Sequence, residues 1–191
     1  MIFYILSIAG GDLLIILFNI LQNNKTHQYS TAYIVFAGVI TAVLIIAIDG
    51  IASAVCRRCL PEKWFDYKTK IHTASKKECK FYDFLKIKLW KDHILELGMF
   101  TNFSKRQVSN PNDINYIRRF ILECNYGTVC HLSNIVLGFV ICFFFPLSIT
   151  LPAAIINAFL SLLPMMTLRY NSNRLGRMHA ILEKKESRSE K

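Results

Sequence analysis

Acidic side chains are scarce in this 191-residue chain: 13 Asp and Glu stand against 23 Lys and Arg, a net charge of +10. The basic residues are themselves missing from most of the length. Fifteen of the 23 lie between Arg57 and Arg119, and all but Lys25 of the remainder follow Leu168. Paired metal-ligand motifs are also missing. Cys56-Arg-Arg-Cys59 has metal-ligand spacing but no second pair or histidine pair at the usual offset, so no metal is expected. The N-terminus has no basic leading segment and no small-residue cleavage site, and Asp12 interrupts its apolar run. It is expected to be a retained span, not a cleaved signal. No tandem repeat, low-complexity tract or soluble second domain is visible.

What is there is apolar. Four stretches, Ile2 to Leu21, Ala32 to Val55, His131 to Ile149 and Leu151 to Leu168, approach or reach the ~20 residues a helix needs to cross ~30 Å of hydrocarbon. These lengths imply an all-α integral membrane protein, one membrane domain over residues 1–191 with about four spans in two hairpins. The first hairpin loop holds only Lys25 and the second holds no charge. The segment 56–130 and the tail 169–191 hold the rest, so both are expected on the cytoplasmic side, with both termini, in a multi-pass cell-membrane protein. A basic excess that flanks membrane spans fits anionic lipid headgroups or phosphate-bearing substrates, and no nucleic acid is expected. All six cysteines fall in cytoplasmic or intramembrane positions, where thiols stay reduced. Asp12 and Asp49 lie inside spans, where a carboxylate costs ~2.5–3.5 kcal/mol and is usually paired or functional.

The basic middle block divides. Leu60 to Phe84 interleaves aromatics (Trp64, Phe65, Tyr67, Phe81, Tyr82, Phe84) with lysines, the composition of a segment lying in the headgroup layer. From Leu85 to Phe100, Ile87, Trp90, Ile94 and Leu97 recur at helical intervals, which predicts a surface helix stopping near Gly98. Ser109-Asn110-Pro111-Asn112 is a turn signal, and Asp113 is placed to cap a helix that continues into the third span. The end, from Glu183, is expected to be charged and frayed.

Four groups of residues are candidates for chemistry. Lys88, Trp90 and Lys91 can hold a phosphate and a flat group at the membrane surface. Glu123 and His131 are eight residues apart, ~12 Å of rise and ~80° of rotation on one helix. That rules out a direct acid–base dyad but lets both line one cleft, with His131 the natural general base. Arg169-Tyr170-Asn171-Ser172-Asn173-Arg174-Leu175 follows the last span, and arginine grips phosphate oxygens with two donors. Cys130 and His131 are adjacent on the helix and do not face each other, so they make no nucleophile–base pair.

From about Phe81 to Glu186 these pieces resemble, in order, the glycosyl-4,4'-diaponeurosporenoate acyltransferase family, small membrane enzymes that acylate the sugar of a glycosylated carotenoid. The carrying residues are Trp90-Lys91, the spacing of Glu123 to His131, and Arg169-Tyr170-Asn171 with Arg174-Leu175. Tyr126, Thr128, Leu132 and Leu168 depart from the family's pattern. The resemblance implies transfer of a fatty acyl group from an acyl thioester such as acyl-coenzyme A to a hydroxyl of a glycosylated isoprenoid or glycolipid, with no tightly bound cofactor. His131 would take the hydroxyl proton, and Glu123 would orient a partner, bind acceptor hydroxyls or hold a basic side chain. Trp90, Lys91, Arg169, Tyr170, Asn171 and Arg174 would hold the substrates. Membrane lipids and a lipid-linked sugar are the implied partners. The alternative is a non-catalytic lipid-binding membrane protein or assembly subunit.

Overall fold

The computed structural model describes residues 2–66, 72, 74–91, 94 and 108–189. Among the described residues six α-helices follow one another: α1 (Ile2–Thr26), α2 (Thr31–Arg58), α3 (Lys76–Phe84), α4 (Ile87–Trp90), α5 (Ile114–Gly138) and α6 (Leu147–Ser189). Short 3-10 turns cover Glu62–Trp64 and Phe139–Phe143, and no strand occurs among the described residues. The all-α expectation holds. Among the described residues four segments are long and apolar enough to cross a membrane, Leu6–Thr26, Thr31–Arg58, Ile114–Phe143 and Leu147–Arg188, so this is a multi-pass membrane protein.

The bend between the last two long helices lies at residues 144–146, earlier than the hydropathy pattern places it. Pro146 has no N–H to continue a helix, and its carbonyl instead accepts the first bonds of α6, from Ile149 N (2.9 Å), Thr150 N (3.0 Å) and Thr150 Oγ1 (3.1 Å). Pro152 lies inside α6 and leaves the Ser148 carbonyl without its helical donor. Asn19 Nδ2 fills that vacancy at 3.1 Å. Helix α6 does not fray at Glu183 but continues to Ser189, and its 43 residues span ~64 Å, far more than the hydrocarbon needs.

The expected cap forms: Asp113 Oδ1 accepts from Asn115 N (2.9 Å) and Tyr116 N (3.1 Å) at the start of α5. Of the surface helix expected over 85–100, the part within the described residues is α4, Ile87–Trp90, and most of the rest lies outside them. Ser75 and Glu78 form a capping box that starts α3 earlier, and Lys86, at φ 51°, interrupts the chain before α4. Tyr67, Asp92, His93, Leu97 and Gly98 lie outside the described residues.

The chain divides into two compact units: a membrane unit, Met1–Val55 with Cys130–Leu162, and a basic unit, Cys56–Val129 with Leu163–Lys191. The membrane unit is centred on Ile15, Ile16, Ile34, Ala37, Ile45, Ile141, Ile149 and Ala153. Small residues set its spacing. A Cβ at Gly38 would overlap the Ile16 side chain, and one at Gly138 would sit 2.7 Å from Asn157 Nδ2. Asn157 Nδ2 donates to the Asn134 carbonyl at 3.2 Å. Large apolar side chains such as Leu14, Phe18, Phe36, Ile51, Phe143 and Phe159 face outward, as hydrocarbon allows.

Candidate functional site

The basic unit is built where α5 and α6 pack through Ile117, Phe120, Ile121, Cys124, Leu168 and Leu175. A second cluster joins Tyr82, Ile87 and Met166, with Trp90 and Tyr170 packed against it. Two of the sequence-predicted site residues therefore pack against one cluster. Tyr170 approaches Tyr82 edge-on at 6.4 Å, and Trp90 Nε1 donates to the Leu85 carbonyl at 2.9 Å. Lys91 follows Trp90 and is half-buried.

The charged candidates are held by partners that the sequence reading did not pair with them. Arg57 grips the Glu123 carboxylate with both terminal nitrogens, at 3.3 and 2.8 Å. The same guanidinium lies 5.6 Å above the Tyr126 ring, a cation–π contact. Arg169 donates through Nε and Nη2 (2.9 Å) to Glu78, which also accepts from the Tyr82 hydroxyl and caps α3. The Arg169 hydrogen bonds hold Glu78 below the usual carboxylate range against the opposing effect of burial, with Tyr82 and the Ser75 backbone adding to the shift. Burial, and then Glu78, raise the Tyr82 phenol above its usual range. In the motif 169–175, Asn171 is half-buried, Arg174 is exposed and Leu175 is core. His131 is half-buried on α5 in the membrane unit, on the same helix as Glu123 and two turns beyond it.

The basic unit also holds a cavity of about 290 Å³ that sequence reasoning missed. Two buried histidines line it, His72 and His179. His72 Nε2 lies 2.9 Å from the Trp64 carbonyl. A carbonyl only accepts, so Nε2 carries the proton and a neutral ring has its lone pair on Nδ1. Burial pushes His72 below the usual histidine range; the Trp64 bond opposes this and the Arg169 charge reinforces it. Its ring stacks on Phe65 at 5.9 Å, and Phe65 stacks on Tyr126 at 4.0 Å, so an aromatic column runs from His72 to the Arg57–Glu123 pair. Asn125 Nδ2 fixes the Phe65 carbonyl (2.8 Å) while its Oδ1 accepts from Ser172 Oγ (2.8 Å). His179 Nδ1 is 3.7 Å from Glu183 Oε2.

One signal was available for part of this cavity. Ser172, Gly176, His179 and Glu183 recur at intervals of four, three and four, a single helical face visible once the helix is carried past the last apolar stretch. His72 has no periodic signal, because only a long-range fold brings it there. Among the described residues no cluster of three or more metal-ligating side chains occurs.

The family model described as glycosyl-4,4'-diaponeurosporenoate acyltransferase matches residues 61–181. The match begins before the resemblance read from the motifs, and takes in His72 and Glu78 as well as Trp90, Glu123, His131 and the segment 169–175. No curated protein and no solved structure matches the chain.

Proposed function

This chain belongs to the glycosyl-4,4'-diaponeurosporenoate acyltransferase family, and from that premise we propose that it moves a fatty acyl group from an acyl thioester to a sugar hydroxyl of a lipid-linked glycoside. The family match, which covers well over half the chain and includes every sequence-predicted site residue, is the observation that carries this reading. The family's name implies acyltransferase activity on a glycosylated carotenoid.

In the proposed reaction His131 takes the proton of the acceptor hydroxyl as its oxygen attacks the thioester carbonyl. The carbon–sulfur bond breaks, and the leaving thiolate takes that proton back. Glu123 acts through the cation it holds, Arg57. Trp90 and Tyr170 border an acyl or sugar site. Lys91, Arg174 and Asn171 contact the donor, acyl-coenzyme A or a similar thioester, with the two cations at its phosphates. Arg169 enters already bound to Glu78, so a donor phosphate would share it with that carboxylate. Both termini and the basic unit belong on the cytoplasmic side of the cell membrane, because 22 of the 23 basic residues lie in segments the positive-inside rule assigns there.

Comparative lipid mass spectrometry of cells carrying the wild-type chain or His131→Ala tests the reading. Loss of one acylated glycolipid, with the variant still inserted, is the expected result and identifies both substrates. An unchanged lipid profile, with activity lost only on deletion of a hairpin, would instead support the non-catalytic lipid-binding alternative.

A further inference from the structure

The geometry points to the cavity of the basic unit as the place where one sugar ring of the acceptor is bound. This assignment rests on the acyltransferase reading for its ligand class and on the cavity for its location. At about 290 Å³ the cavity sits at the small end of ligand pockets, which begin near ~300 Å³. That is room to hold a single ring.

The lining chooses a polyol over an anion. Among the described lining residues its formal charges oppose each other, Arg177 against Glu183, with His179 Nδ1 3.7 Å from the Glu183 carboxylate. An acid in the wall repels phosphate, and in the described lining Arg177 is the single formal cation set against it. His72 supplies no compensating cation, since its protonated nitrogen faces the Trp64 carbonyl and its remaining nitrogen is an acceptor. Sugar hydroxyls both donate and accept, and the wall offers both. Arg177 donates. His72 Nδ1 and the Asn173 side-chain oxygen accept, the Asn173 amide nitrogen being turned to Cys79 Sγ at 2.9 Å. Ser172 Oγ, which donates to Asn125, keeps lone pairs to accept. Ile121 and Ala180 give the C–H face of a ring an apolar floor.

Gly176 leaves the space open. A Cβ there meets no atom within 4 Å, so a larger side chain at this position starts in open space. That makes Gly176→Leu a plug for the cavity, with its thermal unfolding compared with the wild type to show that the fold is kept. Asn173→Leu keeps the side chain's shape and removes an acceptor.

The experiment uses the full chain in lipid nanodiscs and methyl glucoside as the probe, read by saturation-transfer NMR, with inorganic pyrophosphate as competitor. Transfer to the ring protons, undisturbed by pyrophosphate and weakened at least tenfold by each variant, is the expected result. Absence of transfer, equal transfer in both variants, or displacement by pyrophosphate overturns the assignment. The last outcome would make the cavity an anion site. Cleavage of a labelled acyl-coenzyme A separates this from the reaction itself. Acyl transfer with the acceptor KM unchanged in both variants removes the sugar from this cavity and leaves the enzyme reading standing. Sugar binding by a chain that never transfers acyl groups removes the enzyme reading and leaves the sugar site.

Discussion

The membrane unit and the basic unit are both helical and both have apolar clusters, yet different forces make each one specific. In the membrane unit, helices meet through volume. Isoleucines interlock around Gly38, and the polar bonds described there number a few amides, Asn19 to Ser148 and Asn157 to Asn134. Lipid is as apolar as the side chains, so close approach, not exclusion of water, selects the arrangement. The basic unit is instead tied by arginine–carboxylate pairs and an amide–hydroxyl network around Phe65. One unit is sensitive to a methyl group and the other to a proton.

The largest effect expected from breaking this contrast is in the membrane unit. Gly38→Leu places atoms where the Ile16 side chain already is, and overpacking of that kind costs roughly 3 kcal/mol. Gly50→Leu, on the same helix where a Cβ meets nothing, is expected to be neutral or to gain up to ~0.8 kcal/mol from helix propensity. Thermal unfolding of the two variants in the same detergent measures the difference. Equal melting temperatures would show that volume does not set the spacing of α1 and α2.

Charge removal is the matching test for the basic unit. Glu78→Gln keeps a side chain able to complete the capping box but loses the charge that Arg169 holds. Hydrogen bonds to charged groups are worth about 2 kcal/mol, so a loss of that size is expected. Acid should reproduce it in the wild type. His72 is below its usual range in the folded chain, so the unfolded chain takes its proton first, and stability declines as pH drops below ~6.5. Glu78 is also depressed. Its contribution is complete above the usual carboxylate range and is lost as pH falls through that range towards the lowered value. Melting temperature followed from pH 7 to pH 3 should fall in two stages in the wild type, with the second stage missing in Glu78→Gln.

Apolar length and charge position made the four spans and the basic block legible, because a ~30 Å barrier imposes both. Asp113 was legible because capping is a local matter, decided by a side chain and the N–H groups two and three residues away. The bend at residues 144–146 was not, since hydropathy does not change there. What settles it is Pro146 starting a helix and Asn19, 129 positions before Ser148, taking the Ser148 carbonyl that Pro152 leaves open. The site was half legible for the same reason. Residue types near helix ends announced Trp90, Glu123, His131 and Arg169. Their partners Glu78 and Arg57 come from segments 91 and 66 positions away, and only the fold delivers them.

The smallest expected effect sharpens the contrast by grading the basic unit's own ion pairs. Arg169–Glu78 has side chains 20% and 24% exposed, Arg57–Glu123 30% and 12%, and Arg118–Asp66 58% and 28%. Water and salt screen the last pair most, with Arg118 Nη2 at 3.3 Å from Asp66 Oδ2. Arg118→Ala should therefore cost no more than ~0.5 kcal/mol, and even that should vanish in 1 M salt, where the screening length falls to ~3 Å. Glu78→Gln should retain most of its cost in the same buffer, because its partner lies beneath the reach of the ions. If salt erased both costs equally, the Arg169 pair would be a surface pair, and the division between a unit set by volume and a unit set by sheltered charge would lose its second half.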